Sequence, residues 1–177
     1  MKVIFKRWKG SGLTANLKIF VLILTPGFWK WIVVTSLETS GATDDIQHIL
    51  IKSAADLISL DNPNYQYVAA RLLLYSLRKQ CFGRLWDHPH LFDHVTKAVE
   101  MKVYDHAILE KYQRKDFDRM ENWITHERDY TFTYAGLRQV IDKYLVQDRS
   151  NGEVFETPQF MYMMISATMF ADYPKEK

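Results

Sequence analysis

From residue 43 onward, apolar side chains recur every three or four positions, the spacing of one buried helix face. This pattern predicts two long helices over residues 43–83 and a third helix from about residue 87. Shorter helices are predicted around residues 107–112 and 117–124. Polar residues occupy the positions between the apolar ones, as expected for helices that pack on one side. The hydrophobic pattern therefore predicts a mainly α fold for most of the chain.

Several predicted helix ends carry residues suited to those positions. Thr43 can cap the first helix with its hydroxyl, and that helix is expected to run to about Ser59. Asn62 can cap the second helix with Pro63 at its first position, where a missing N–H costs nothing. Gly83 is expected to end the second helix, because glycine adopts the left-handed conformation that commonly closes a helix.

Between two helical runs, residues 143–156 show the pattern of a β-hairpin. Residues 143–147 carry aromatic and branched side chains typical of a strand, and residues 153–156 supply the returning strand. The turn between them ends in Asn151-Gly152, a pair that favours the positive φ of tight turns. Thr157 and Pro158 then open a final helix. Its residues Phe160, Tyr162, Met163, Met164 and Met169 are expected in core or interface packing.

Residues 1–42 follow neither pattern. A basic start, an apolar run over residues 17–34 and small residues at 40–42 are typical of an export signal. A transmembrane helix is disfavoured, because Pro26-Gly27 divides the run into halves too short to span a bilayer. On the residues alone, export therefore stays open as an alternative.

Charge and cysteine content disfavour a nucleic-acid-binding protein and exclude a disulfide-bonded one. The formal charge is +2, but residues 1–42 hold six Lys or Arg against one Glu, so the remainder is mildly acidic. That remainder lacks the basic surface that predicts nucleic-acid binding. The single cysteine, Cys81, excludes an internal disulfide and suits a reducing compartment. It is expected to be a packing residue rather than a reactive thiol.

Four strings of sequence follow one another with a characteristic spacing. They are AADLISLDNPNYQYVAARLLLYSLRK from residue 54, HERDYTFTY from 126, KYLVQ from 143 and GEVFETPQFMY from 152. In order and spacing they resemble the N-terminal region of the large chain of class I ribonucleotide reductase, over roughly three quarters of the chain. The resemblance implies a partial or degraded ATP-cone domain over residues 1–83, divergent in residues 1–42. It implies the N-terminal helical domain over residues 84–177.

The same resemblance implies allosteric nucleotide contacts at Lys6, Thr43 and Lys79, with ATP or dATP as the effector. Phe5-Lys6-Arg7 echoes the hairpin motif of the cone, and residues 16–19 echo the start of its first helix, although Trp8-Lys9 departs from the pattern. Binding is expected to be weak or lost, because two or three donors do not enclose a triphosphate. The alternative is that Thr43 is only a helix cap and Lys79 only complements a helix dipole.

The resemblance also implies conversion of ribonucleoside diphosphates to deoxyribonucleotides, for DNA precursor synthesis, in the cytoplasm rather than after export. The partners it implies are a radical-bearing small subunit and a second large subunit, with no nucleic acid and no membrane. Because the family's chemistry needs several cysteines, the chain alone is expected to be inactive, with no catalytic residue of its own. The alternatives are a stand-alone nucleotide-binding or interaction module that pairs with a separate reductase chain, and an exported helical protein.

Two further clusters have a functional and an ordinary interpretation. His90 and His94, next to His88, have a spacing that can ligate zinc, but two imidazoles make a weak site and solvated surface histidines are favoured. No metal is therefore predicted. Residues 127–129 (Glu-Arg-Asp) could serve acid–base chemistry, but ion pairing at a helix start is favoured.

Overall fold

The computed structural model describes residues 3–8, 18–25, 28–34, 43–83 and 87–173, with side chains described for residues 47–83 and 87–173. The chain forms two compact units, residues 1–72 and residues 73–177. The division between them falls inside the second long helix. The domain boundary predicted between residues 83 and 84 stays a prediction.

The first unit contains a three-stranded antiparallel sheet of order β1-β2-β3, followed by a helix. The strands are β1 (Val3–Trp8), β2 (Lys18–Thr25) and β3 (Phe28–Val34). The helix start predicted at residues 16–19 is therefore wrong at Lys18 and Ile19, which begin β2; residues 16 and 17 lie outside the described residues. The physical reason is the concentration of β-branched residues in β2, since such side chains favour extended backbone.

Helix α1 (Thr43–Asp56) follows the sheet, and α2 (Tyr65–Phe82) comes next. Thr43 is the first residue of α1 rather than the residue before it, and α1 ends three residues earlier than the predicted Ser59. The predicted cap at Asn62 is also displaced. Residues 62–64 form a turn in which the Tyr65 N–H donates to the Asn62 carbonyl at 3.3 Å, so α2 begins at Tyr65. Gly83 ends α2 as predicted, with a φ of 67°.

The second unit is built from short helices and the predicted hairpin, which confirms the mainly α fold with one small hairpin. Its elements after α2 are α3 (Leu91–Glu100), α4 (Ala107–Lys111), α5 (Arg114–Glu121), a 3-10 helix (His126–Thr131), α6 (Tyr134–Lys143), β4 (Gln147–Asp148), β5 (Glu153–Val154) and α7 (Pro158–Met169). Apolar side chains from α3, α4, α5 and α7 form its core. The core residues are Leu91, Val95, Ile108, Tyr112, Phe117, Met120, Phe160, Met164 and Ala167.

The hairpin is shorter than its sequence pattern indicates. Lys143 is still the last residue of α6, so the first strand begins at Gln147 rather than at residue 143. The turn is confirmed: Gly152 has a φ of 76°, and the Asp148 carboxylate accepts from the Ser150 N–H at 2.8 Å. Asn151 does not adopt positive φ; its side-chain oxygen instead accepts from the Glu153 N–H at 2.8 Å. Local polar bonds therefore fix the turn and leave only two residue pairs in the ladder.

Candidate functional site

The three predicted nucleotide contacts lie on three different elements. Lys6 is in β1, paired with Phe20 of β2, and Thr43 opens α1. Both belong to the first unit, whereas Lys79 lies in the last turn of α2 in the second unit, where its side chain is half-buried. The predicted contact of these residues with ATP or dATP stays a prediction.

The most strongly organised polar group in the second unit is the guanidinium of Arg78, which is 1% exposed. Its Nη1 donates to the Tyr130 hydroxyl at 2.8 Å, and its Nη2 donates to the His126 carbonyl at 3.3 Å. The Nη2 atom also lies 3.9 Å from Oδ2 of Asp129. Arg78 therefore ties α2 to three residues of the 3-10 helix.

Asp129 is buried with Arg78 and extends this connection to α7. The Gln159 side-chain amide donates to Oδ1 of Asp129 at 2.9 Å. Burial raises the pKa of Asp129 to about 6, although the Gln159 hydrogen bond and the Arg78 charge act to lower it. Ion pairing is thus observed for this cluster, but the partner is Arg78 of α2 rather than a neighbour within residues 127–129. Arg78, Asp129, Tyr130 and Gln159 are named the arginine clamp below.

A second buried carboxylate, Glu156, joins the hairpin to the loop after α3. Its Oε1 accepts from the Val146 N–H at 2.9 Å, and its Oε2 accepts from the Tyr104 hydroxyl. The Cys81 thiol donates to the carbonyls of Val154 and Glu156 at 3.3 and 3.4 Å. Burial and the nearby Glu156 charge raise the pKa of Cys81, so the group stays a thiol, in agreement with the predicted packing role.

The histidines are not the solvated pair that the sequence favours. His90 precedes α3, where its Nδ1 accepts from the Phe92 N–H at 3.3 Å, and its Nε2 lies 3.4 Å from Asp118. His94 is only 7% exposed, so the surface interpretation is wrong for it. The reason is that α3 turns His94 towards the core, 4.8 Å from the Phe160 ring. Among the residues that the structure describes, no group of three or more His, Cys, Asp or Glu side chains is arranged to hold a metal ion.

Arg78 and His94 were not singled out as buried groups from the sequence, although a signal for both was present. Arg78 follows Leu74 by four positions, and His94 follows Leu91 by three. Both therefore fall on the buried face of an amphipathic helix. A charged or titratable residue at such a position must find a partner inside the protein or lose its charge.

Helix α7 has apolar side chains on all sides and only part of its surface is covered. Phe160 and Met164 lie in the core as predicted, whereas Tyr162, Ile165 and Met169 are exposed. A hollow of about 540 Å³ lies on one side of the helix, and a hollow of about 480 Å³ lies on another. Exposed apolar side chains along these hollows form what is named here the α7 surface: Trp123, Tyr144, Tyr162, Ile165, Met169, Phe170 and Tyr173. Exposed apolar side chains grouped along such hollows are typical of an interaction site.

None of the helices described by the structure combines the length and the apolar character needed to cross a bilayer.

Comparisons with known proteins agree on one family. Residues 130–176 match the family described as "Ribonucleotide reductase, all-alpha domain". Over 134 residues, 76% of the chain, the sequence is 52% identical to the ribonucleoside-diphosphate reductase subunit alpha of Haemophilus influenzae, of which this covers 18%. It is 49% identical to ribonucleoside-diphosphate reductase 1 subunit alpha of Escherichia coli, with the same coverage. The phage T4 subunit alpha is 44% identical over 80% of the chain and 19% of its own length. The chain thus spans about a fifth of the length of these relatives.

Proposed function

Because the chain belongs to the ribonucleotide reductase large-subunit family over the matched three quarters of its length, we propose that it works as the N-terminal helical part of a ribonucleoside-diphosphate reductase. The observation that carries this proposal is the identity of about one half to the alpha subunits of two bacteria. The activity to which it contributes is the reduction of ribonucleotides to deoxyribonucleotides, in the cytoplasm.

The role of this part is to position other elements rather than to perform the chemistry. The arginine clamp joins three elements by hydrogen bonds: Arg78 of α2 donates to Tyr130 of the 3-10 helix, and Gln159 of α7 donates to Asp129. Such buried networks hold elements in one arrangement. Reduction through a disulfide requires two thiols that are readily ionised, whereas the chain has Cys81 alone, half-buried and with a raised pKa. The remaining cysteines would come from the part of the large subunit that this chain does not contain.

A second candidate is an interaction module that pairs with a separate reductase chain. The specific observation that favours it is the α7 surface, because a helix with apolar residues on all sides is normally buried on all sides. On this hypothesis, the uncovered side of α7 binds the rest of a large subunit, which is a separate polypeptide. A radical-bearing small subunit and a second large subunit would complete the assembly.

Allosteric binding of ATP or dATP is proposed only as a weak remnant. Lys6, Thr43 and Lys79 are the residues proposed to contact the phosphates. A charged donor such as Lys79 contributes a hydrogen bond worth about 1.5–3 kcal/mol, so it should dominate any site that persists.

The pairing can be tested by binding. A large subunit of the Escherichia coli relative, truncated to remove the region that matches this chain, would be mixed with the chain and the complex measured by analytical ultracentrifugation. Ile165→Glu places a charge on the α7 surface and is expected to weaken association at least about tenfold, since burying an unpaired charge is costly. Leu60→Glu is the matched control, because Leu60 is fully exposed and lies in the loop before α2. If both variants associate with the truncated subunit as tightly as the wild-type chain does, the α7 surface is excluded as the contact.

A further inference from the structure

Three histidines from different segments of the second unit pack against Phe82, Phe160 or both. The His88 ring, in the loop before α3, stacks on the His126 ring of the 3-10 helix, with ring centroids 3.7 Å apart and planes 5° from parallel. His126 also meets Phe160 edge-on at 5.2 Å. His94 of α3 lies 5.5 Å from Phe82. The three imidazoles therefore fill the space between α2, α3, α7 and the 3-10 helix. They are named the histidine cluster.

Ring packing holds these imidazoles in place. Four of their nitrogens are buried without a hydrogen-bond partner: Nδ1 of His88, Nε2 of His94, and both Nδ1 and Nε2 of His126. A neutral imidazole tolerates this position, whereas an imidazolium needs acceptors for two N–H groups. Protonation would therefore place an unsolvated charge among aromatic rings.

The charged groups facing the cluster act in both directions, and none makes a hydrogen bond to the four buried nitrogens. Arg78 lies beside His88 and His126 and opposes a second positive charge, and Lys97 does the same for His94. The carboxylates of Asp87 and Glu127 act on His88 and His126 in the opposite direction, but with less effect than burial.

Two carboxylates near the cluster are already engaged. The Asp129 carboxylate is engaged by Arg78 and Gln159. The Tyr104 ring packs against His94 at 6.0 Å, and its hydroxyl donates to Glu156. These partners of Asp129 and Glu156 thus lie outside the ring nitrogens of the cluster.

We propose that the histidine cluster is an acid-sensitive lock, which holds the 3-10 helix against α3 and α7 while its imidazoles are neutral and releases it when they are protonated. The 3-10 helix is suited to such release because it is short and its hydrogen bonds have poorer geometry than those of an α-helix. Its release would also open the arginine clamp, since His126, Asp129 and Tyr130 lie in that helix. This lock does not depend on the proposed function and concerns the fold of the second unit alone.

The direction of the pH dependence follows from the proton balance. Burial lowers the pKa of His88, His94 and His126 to about 4, from an ordinary value near 6.5. Between these values the released form binds protons that the locked form does not, so acidification favours release. Asp129 acts oppositely, because its pKa of about 6 lets the locked form hold a proton that the released form loses. Because three histidines take up a proton on release and only Asp129 gives one up, acidification favours release overall.

The test uses the full chain and two readouts. An NMR titration of the imidazole ring protons follows each histidine, with the 71%-exposed His106 as the reference. Hydrogen exchange of residues 126–132, followed from pH 7 to pH 4, reports on the 3-10 helix. Each histidine that titrates is expected to change the protection factor by up to about tenfold per pH unit. We expect the three cluster imidazoles to titrate near pH 4, well below the ordinary histidine value near 6.5.

The variants separate the lock from general acid sensitivity. His88→Phe/His126→Phe keeps two stacked rings without titrating nitrogens, so residues 126–132 should stay protected at pH 4.5, where the wild type loses protection. His106→Phe makes the same change at an exposed site and should behave as the wild type. Cluster imidazoles that titrate near the ordinary value of about 6.5 would overturn the proposal, as would equal loss of protection in the wild type and the double variant. If the double variant does not fold, the imidazole titration of the wild type decides alone.

Discussion

Replacing Arg78 with methionine tests how much the arginine clamp contributes to the stability of the fold. The variant keeps an unbranched, apolar stem of similar length but removes the donors to Tyr130 and to the His126 carbonyl, and it leaves Asp129 buried without its cation. Removing one partner of a buried ion pair costs about 3–5 kcal/mol. The free energy of unfolding at pH 7 should therefore fall by an amount in this range, measured by urea denaturation followed by circular dichroism.

Arg138→Met supplies the matched control. Arg138 and Asp142 lie closer together, at 3.2 Å, than Arg78 and Asp129, at 3.9 Å, but both side chains of the first pair are about half exposed. Exposed pairs of this spacing on a helix are worth about 0.3–0.5 kcal/mol. If distance governed the energy, Arg138→Met would cost more; because burial governs it, Arg78→Met should cost several times more.

The pH dependence of the same variant adds a second check. At pH 5 the Asp129 carboxyl of the folded wild type is largely protonated, because burial raises its pKa to about 6. The charge left by Arg78→Met is then absent, so the cost should be smaller than at pH 7. The difference should be about 1 kcal/mol for each unit by which Arg78 lowers the Asp129 pKa. A cost equal to that of Arg138→Met, or a cost independent of pH, would refute the reasoning.

Three further predictions concern other parts of the chain. Through His94 the wild type should lose up to about 3 kcal/mol of its free energy of unfolding between pH 6.5 and pH 4, because burial lowers the His94 pKa to about 4. His94→Phe should abolish this pH-dependent loss, which urea denaturation at pH 4.5 and pH 7 measures. Gly152→Ala should lower the free energy of unfolding by about 1–2 kcal/mol, since Gly152 has a φ of 76°. Calorimetric titration should find weak or absent ATP and dATP binding, and Lys79→Ala should weaken any binding found by about one to two orders of magnitude.

Elements governed by local chemistry could be predicted from the sequence. The turn at Gly152 and the end of α2 at Gly83 depend on glycine's access to positive φ. This is a property of the residue itself and does not depend on distant parts of the chain. The positions of the helices follow from apolar spacing in the same way. Boundaries were displaced where local signals compete, as at Lys143, where a strand-like composition continues the last turn of α6.

The contacts that organise the second unit could not be predicted, because their partners are distant in sequence. Arg78 meets Tyr130 across 52 positions and Cys81 meets Glu156 across 75 positions. Nothing local identifies which residue will neutralise a buried cation. The surface position predicted for His94 is wrong for the same reason: its burial against Phe160 depends on a residue 66 positions away, whereas its neighbour His90 only caps α3.

The most direct test of the proposed function is reconstitution of activity. The Escherichia coli large subunit, truncated to remove the region that matches this chain, would be combined with a radical-bearing small subunit and a thiol reductant. Formation of deoxyribonucleoside diphosphate would be measured with and without the chain. We predict activity only when the chain is present, reduced by Ile165→Glu and unchanged by Leu60→Glu. Turnover by the chain without the truncated subunit, or no turnover from a mixture that forms a stable complex, would contradict the account.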